Sequence, residues 1–272
     1  MKYKTVIGVL TYRPYKGEDE TVKDNILLQC LDSIYKHTDL TDAHVVVANN
    51  SEDKKIIKGI TNLCLNYPNL TLLNFKKDLG TSAAWNIMAR IYDNDITVIL
   101  TDDIMVYPYW LEITEFVLEN NPDIATVSYD QWYTNTPLEF IVPEAANVVA
   151  YECIYPLGAA FAFRREVFDK IGGFDEQFFM GVEDADIGVR LVKAGYFNYI
   201  VGTTNKEGFN EYHLVRHIGG ATGYPSTDSG EKWKKKHNLP FPLNPEIEEE
   251  MKKKRNKKIE LVLPIIIRGA VL

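Results

Sequence analysis

The chain is short of cysteine, has no basic excess and begins with no long apolar run, and each shortage removes a class of protein. Cys30, Cys64 and Cys153 are its three cysteines among 272 residues, far apart and without any Cys-x-x-Cys or Cys/His spacing. Neither a disulfide framework nor a zinc site is indicated, and a reducing cytoplasm fits this usage. The opening "MKYKTVIGVLTYRP" carries an apolar run of only about five residues, too short for a secretory leader or a membrane span, so the chain is expected not to be exported. A net charge of −8 argues against general adhesion to nucleic acid or anionic lipid, partners that want a basic face. No G-x-G-x-x-G occurs, which excludes a dinucleotide-dependent dehydrogenase.

What is present is globular: 46% hydrophobic and 25% charged residues, with 16 Tyr and 12 Phe to bury. One main core suits this length, since single cores seldom outgrow about 250–300 residues. The charge is uneven, because "EKWKKKHNLP" and "MKKKRNKK" gather Lys and Arg after residue 230. That asymmetry divides the chain into a main domain over residues 1–225 and a basic, apolar extension over 226–272.

Short β-rich runs alternate with helical patterns, the mark of βαβ units and a largely parallel sheet. "TVIGVLTY", "HVVVANN", "NLTLLNF" and "ITVILTDDI" read as strands. Ile26, Leu27, Cys30, Leu31 and Ile34 recur at helical spacing, and "KKIIKGITNLCLNY", "SAAWNIMARIY" and "YWLEITEFVLEN" continue the alternation. "IATVSY" and "GAAFAF" are later strands, and "ADIGVRLVKAG" is a helix that stops at Gly195. Residues 130–157 show no clean period and read as irregular packing or a mobile acceptor-facing segment.

In "ILTDDIMV" an apolar strand stops at Asp102 and Asp103, which delivers two carboxylates to the carboxyl edge of a parallel sheet, where α/β folds bind ligands. Adjacent acids there call for a cation, and hard oxygen ligands suit Mg²⁺ or Mn²⁺ carrying a diphosphate. The plainer alternative is a solvated turn. A second acidic concentration, "FDEQFFMGVEDADIGVRL", sets Asp175, Glu176, Glu183, Asp184 and Asp186 among aromatics just ahead of a helix. Acids at a helix N-terminus complement its dipole, but one would suffice for that.

The stretch "GAAFAFRREVFDKIGGFDEQFFMGVEDADIGVRLVKAGY" resembles the C-terminal half of the GT-A glycosyltransferases of family 2: a small-residue strand, Arg, Gly-Gly-Phe-Asp-Glu, Glu-Asp-x-Asp, then a helix ending in Gly-Tyr. "LTYRP", "ANNSED", "KDLGTSAAWN", "TDD" and "VRHIGGATG" agree in order, so the resemblance covers roughly residues 4 to 223. It implies an α/β GT-A fold, a Rossmann-like mixed but mostly parallel sheet flanked by helices, with the C-terminal extension appended. It also implies an inverting, Mn²⁺- or Mg²⁺-dependent transfer of one sugar from a nucleotide-diphosphate donor to an acceptor hydroxyl. On the family's pattern Asp184 is the general base, Glu183 an acceptor-binding or structural acid, and Asp103 with His217 the metal anchors, His213 being the fallback. Donor recognition falls to Thr11, Asn49, Asp53, Asp78, Gly80, Asn86 and Asp102. Two departures stand out: Ala48 replaces the acid that usually grips the base, and Thr101 replaces the first acid of Asp-x-Asp. An aromatic wall from Phe174, Phe178 and Phe179 is expected to limit water around Asp184 and raise its pKa, against the helix N-terminus that lowers it.

The acceptor implied is a glycan or a lipid-linked acceptor in surface polysaccharide assembly. "KKKRNKK" followed by "IELVLPIIIRGAVL" is too short to span a bilayer but long enough to lie at a membrane's inner face. The alternatives are a tail packed on its own domain, or on a second copy in a homodimer. Rival functions are a sugar-phosphate nucleotidyltransferase, disfavoured because "TYRPYKGEDE" is not a Gly-rich loop with a basic residue directly after strand one, a binding domain without turnover, and transfer to modified phage DNA, which the acidic main domain argues against.

Overall fold

The computed structural model describes residues 2–12, 25–129, 131–133, 145–204, 213–218, 227–255, 257–267 and 270–271. Most of "TYRPYKGEDE", residues 130 and 134–144 of the aperiodic stretch 130–157, and the "GGATG" turn lie outside the described residues. The first half runs β1 (Lys2–Thr11), α1 (Ile26–His37), β2 (Ala43–Asn49), α2 (Lys54–Cys64), β3 (Leu70–Asn74), α3 (Gly80–Arg90), β4 (Asp93–Thr101), β5 (Ile104–Val106), α4 (Trp110–Asn120) and β6 (Ile124–Tyr129). The second runs β7 (Gln131–Tyr133), β8 (Ala145–Cys153), β9 (Ala160–Arg164), α5 (Arg165–Lys170), α6 (Glu183–Lys193), β10 (Phe197–Thr204), β11 (Val215–His217), α7 (Thr227–His237), α8 (Pro245–Lys254), β12 (Ile265–Ile267) and β13 (Ala270–Val271).

Ten strands form one sheet in the order β13-β12-β8-β10-β6-β9-β4-β1-β2-β3. β9, β8 and β13 run against the other seven, giving the mixed, mostly parallel sheet expected from the sequence. Both faces are covered, which is why β2 is buried along its whole length and reads as an apolar run without alternation. Alternate residues nonetheless serve different layers. Ile7, Val9, Val45, Val47 and Val98 face α1, α2 and α4, whereas Val6, Val46, Ala48 and Ile99 face α3, α5 and α6. α1 presents the predicted Leu27, Cys30, Leu31 and Ile34 to the core and starts at Asn25, whose side chain accepts from Leu28 N–H.

From β1 the chain winds outward to β2 and β3, then returns through α3 to β4 on the other side of β1. The winding reverses between β1 and β4, and the crevice beyond their carboxyl ends is where such sheets bind ligands. A second sheet, β5-β11-β7, sits beyond that edge and brings His217 opposite Ile104.

Part of the stretch with no clean period is regular: β8 is a nine-residue antiparallel strand between β10 and β12. Three alanines and Glu152 on β8 mute the alternation that would have announced it. The apolar tail packs on its own domain. Ile266 of β12 is fully buried opposite Ala146, and Ile259, Leu261 and Leu263 lie against the core. Among the described residues no helix is long and apolar enough to cross a membrane.

The basic run is likewise used internally. Trp233 of α7 is buried with Phe178, Val182, Ala185 and Val189, and Arg255 lies over the Phe197 ring and pairs with Glu152. The hub is Asp186, fully buried in α6 and held by Arg190 (2.8 Å), His237 (2.8 Å) and Lys236. Burial alone would raise its carboxyl, but these partners hold it below the ordinary value. Removing one member of a buried ion network typically costs about 3–5 kcal/mol, because the remaining charges lose their compensation. Asp186→Ala is therefore expected to lower unfolding free energy by about that amount in urea titrations; a loss below about 1 kcal/mol, the level of an exposed pair, would show that the hub is not buried as described.

Candidate active site

At the end of β4 the chain turns through Asp102 and Asp103 into β5, held in register by the bond from Asp102 N–H to Leu10 C=O (3.1 Å). Asp102 Oδ2 accepts from Thr11 Oγ1 at 2.6 Å, across the β1–β4 junction. Asp103 Oδ1 accepts from Thr101 Oγ1 at 2.5 Å, and its Oδ2 stands 2.8 Å from His217 Nε2. The backbone reinforces this pairing, since Ile218 N–H donates to Asp103 C=O at 2.8 Å.

The two neighbouring acids diverge. Burial pushes Asp102 up to about 7, aided by the charge of Asp103 and opposed by the Thr11 hydroxyl. Burial acts on Asp103 too, but the hydrogen bond and charge of His217, with Thr101, outweigh it and hold that carboxyl below its ordinary value. Thr101, which stands where an acid is usual in Asp-x-Asp, thus orients the remaining carboxylate.

Asp103 Oδ2 and His217 Nε2, 2.8 Å apart, are an oxygen and an imidazole nitrogen of the kinds that bind Mn²⁺ or Mg²⁺, and they would be the protein's donors to such an ion. Among the described residues no third His, Cys, Asp or Glu joins them, so further ligands would come from phosphate and water.

Across the cleft, Gly181 (φ +81°) and Val182 (φ +69°) turn the chain into α6. A left-handed conformation is strained for a β-branched residue, and it sets Glu183 and Asp184 in the first turn. Asp184 Oδ1 accepts from Ala185 N–H at 2.7 Å. Its Oδ2 lies over Gly158, where a Cβ would come within 2.5 Å of it. Burial raises the Asp184 carboxyl despite the N–H groups of Ala185, Asp184 and Gly158, so desolvation wins over the helix terminus. Glu183 is 8% exposed, and its Oε2 has no hydrogen-bond partner among the described residues. Burial, with the Asp184 charge added, pushes it up to about 8. Of the three aromatics expected to wall this carboxylate pair, Phe174 and Phe178 are core residues; Phe179 reaches the cleft.

One cleft of about 820 Å³ brings together Asp78, Gly80, Asp102, Asp103, Glu183, Asp184 and His217. Thr11 lies buried beneath its floor, behind Asp102. Asp78 Oδ1 accepts from Gly80 N–H at 2.8 Å, shaping the turn into α3. Three candidates stand elsewhere for clear reasons. Asn49 is fully buried and spans Asn74 Oδ1 and Ser51 N–H. Asp53 caps α2 by accepting from Lys55 and Ile56 N–H. Asn86 holds both the N–H and C=O of Phe174. His213 precedes β11 and is not among the cleft's lining residues.

In place of Asn49 the next residue, Asn50, faces the cleft, donating to Gly80 C=O at 3.1 Å. The doubled Asn in "ANN" was the available signal, without a way to choose between them. Also unforeseen are Gly158 and α7, which lends Asp228, Ser229 and Lys232 to one wall.

Residues 20–172, more than half of the chain, match the family model described as "Glycosyl transferase family 2". The chain belongs to glycosyltransferase family 2. Residues 148–217 also match a model described as "N-terminal domain of galactosyltransferase". The chain is 48% identical over 44 residues to an N-acetylglucosaminyl-diphospho-decaprenol L-rhamnosyltransferase of Mycobacterium tuberculosis, a match covering 16% of this chain and 14% of that protein. Among solved structures it resembles GalNAc-T7 with UDP, GalNAc and Mn²⁺ at TM-score 0.65 and 14% identity, covering 94% of this chain and 55% of that one. S. aureus TarS residues 1–349 align at TM-score 0.56 and 16% identity over 79% of this chain and 60% of theirs. At such identities the structural likeness is one of fold.

Glu183 supplies a stability test. Its folded-state pKa of about 8 lies above its ordinary 4.5, so the folded state holds the proton more tightly and stability is lost as pH rises between those values. Glu183→Gln should remove that loss: equal to wild type below about pH 4.5, and more stable by a few kcal/mol above about pH 8, in thermal melts across pH. Parallel curves would contradict the burial assigned to this carboxyl.

Proposed function

We propose that this glycosyltransferase moves one sugar from a nucleotide-diphosphate donor to an acceptor hydroxyl with inversion at the anomeric carbon, using Mn²⁺ or Mg²⁺. The observation that carries the reading is that the Asp103–His217 pair and the Asp184 carboxylate line the same cleft beyond the carboxyl ends of β1 and β4. Its volume is in the range of small-molecule sites. Its described lining includes the carboxyl groups of Asp78, Asp102, Asp103, Glu183, Asp184 and Asp228 against one lysine, Lys232, and one histidine, His217. With Asp102 and Glu183 raised by burial, the ionised Asp103 remains at the cleft, and a donor that arrives with a cation is favoured there over a bare diphosphate.

Asp103 and His217 would hold that ion, whose chemistry is to neutralise the departing diphosphate. Thr101 keeps Asp103 aimed, and Asp102, tied to Thr11, lies where a ribose hydroxyl could donate to it. Ala48, fully buried between strand and helix, offers nothing to the base, and Asn50 and Asp78 take its place at the cleft. Asp184 takes the acceptor proton through Oδ2, the oxygen over Gly158, while Oδ1 stays on Ala185 N–H. Its raised pKa strengthens it as a base, provided the working pH leaves it ionised. A glycan or lipid-linked acceptor in surface polysaccharide assembly, met at the inner face of the membrane, accords with the acceptor in the mycobacterial relative's name.

A positioned base contributes about 10²–10⁴ in rate. Asp184→Asn should therefore bind the nucleotide diphosphate as wild type does while losing at least about a hundredfold in turnover; near-normal turnover would remove Asp184 from the role. Asp103→Ala should abolish the Mn²⁺-dependent part of nucleotide-diphosphate binding in calorimetry, and binding equally improved by Mn²⁺ in that variant would rule out this metal site. Gly158→Ala, by pressing a methyl on Asp184 Oδ2, should lower kcat more than it changes donor KM. A mass-spectrometric screen of nucleotide sugars for metal-dependent hydrolysis would identify the donor.

A further inference from the structure

Residues 171–182, between α5 and α6, form neither helix nor strand, yet they deliver Glu183 and Asp184 to the cleft. Asp175 stands near the start of this connection and Asp186 just beyond its end, in the first turn of α6. One ammonium holds both. Lys236 Nζ, from α7, lies 2.8 Å from Asp175 Oδ2, bonds Asp186 Oδ1 as well, and stands 5.3 Å from the centre of the ring of Phe178 in the same loop. Burial would raise the Asp175 carboxyl, but the Lys236 ammonium and the Gln177 N–H keep it below its ordinary value. Asp175 and Asp186 are therefore both ionised, and they would repel each other without a cation between them. Other holds on the loop act at its middle: Thr81 N–H donates to Phe179 C=O at 2.7 Å and Ser229 Oγ to Met180 C=O at 3.0 Å. At its end, Asp186 N–H donates to Val182 C=O at 2.8 Å, so the grip on Asp186 reaches the left-handed turn that sets Asp184.

We propose that Lys236 is a positioning residue: by bridging Asp175 and Asp186 it closes the loop between them and fixes where Asp184 meets the acceptor hydroxyl. This rests on the glycosyl-transfer reading and adds to it a residue from α7, beyond the stretches that the two family models match, residues 20–172 and 148–217. Neutralising Asp186 does not call for Lys236, since Arg190 and His237 already stand 2.8 Å from that carboxylate. Nor does Asp175 need a partner in order to be buried, its side chain being 31% exposed. What Lys236 supplies is the connection. With it, the two ends of a loop that has no regular structure of its own are fixed relative to each other, and the carboxylate set by that loop keeps its geometry without reorganising when substrate arrives.

The test uses the full chain with Mn²⁺ and the nucleotide sugar that wild type hydrolyses, water taking the acceptor's place at Asp184. Lys236→Met keeps the stem over Phe178 and removes the ammonium. Because about 1 Å of misplacement can cost about a hundredfold in rate, its kcat should fall about ten- to hundredfold, while donor KM and Mn²⁺-dependent nucleotide-diphosphate affinity stay within about twofold. Asp175→Asn leaves Asp186 with Arg190, His237 and Lys236, and it keeps Oδ1 for the Gln177 N–H, so it opens the bridge without disturbing the buried network. Its kcat should fall at least about threefold, and the double variant should be no slower than Lys236→Met alone, since both changes open one bridge. In hydrogen exchange of the ligand-free protein, each single variant should exchange about three- to tenfold faster over residues 176–182, with β4 and β5 unchanged. A Lys236→Met kcat within about threefold of wild type, costs that multiply in the double variant, donor affinity lost in parallel with kcat, or unchanged exchange over residues 176–182 would overturn the proposal. Absence of any donor hydrolysis by wild type would instead overturn the glycosyl-transfer reading, and the exchange rates would still decide whether the bridge holds the loop.

Discussion

Carboxylates brought out of water beside one another must each be given a partner or a proton, and this constraint organises the cleft of this family 2 chain. Asp103 and Asp186 are given partners: His217 and Thr101 hold the first ionised, and Arg190, His237 and Lys236 the second. Burial wins at Asp102, in spite of its Thr11 hydroxyl, and at Glu183, pushing them up to about 7 and about 8. Asp184 lies between these cases, with one oxygen on a backbone N–H and the other turned to Gly158. Asp102 and Asp103, neighbours in sequence, are thus shifted in opposite directions, whereas Glu183 and Asp184 are both raised by burial.

The sequence carried the sheet edge well, because both of its signals are local. An apolar run that stops at "TDD" has one place to go in a parallel sheet, and acids in the first turn of "EDADIGVRL" mark a helix start whatever surrounds them. Long-range pairing was less legible. β8 carries Ala145, Ala146, Ala150 and Glu152, a weak alternation, and becomes a strand because β10 and β12 flank it. Asn49 and Asn50 are equivalent as letters, and strand pleat alone sends the first inside to Asn74 and leaves the second at the cleft. Phe174, Phe178 and Phe179 are likewise indistinguishable until α3 and α7 claim the first two and leave the third exposed. Asp186 could be placed on the helix from sequence, but its burial depends on lysine and histidine fifty residues away.

The C-terminal residues show how much of a basic and apolar run can be used within its own chain. A basic run beside an apolar one reads as a membrane device when taken alone. In the fold Lys236, Lys252, Lys254, Arg255 and Lys257 all pair with carboxylates of the same chain, and Ile266 is a sheet residue. Segment charge is informative about partners once the charges already neutralised at home are subtracted.

α7 belongs to the wall of the cleft. The helix is fixed at one end by His237 and Lys236 on Asp186, and near the other by Ser229 on Met180 C=O. Between these anchors lie Gly181 and Val182, the left-handed residues that set Glu183 and Asp184 at the cleft. Val182 at positive φ costs free energy in isolation, of order 1–3 kcal/mol for such a conformation. Trp233, packed in one cluster with Val182 and Phe178, and the two anchors on either side supply the surrounding contacts that hold it. The position of Asp184 therefore depends on side chains from a helix more than forty residues further along the chain, so damage to the Asp186 network should reach Asp184 through the Val182 turn before it reaches the Asp103–His217 pair, whose supports in β4, β5 and β11 are separate.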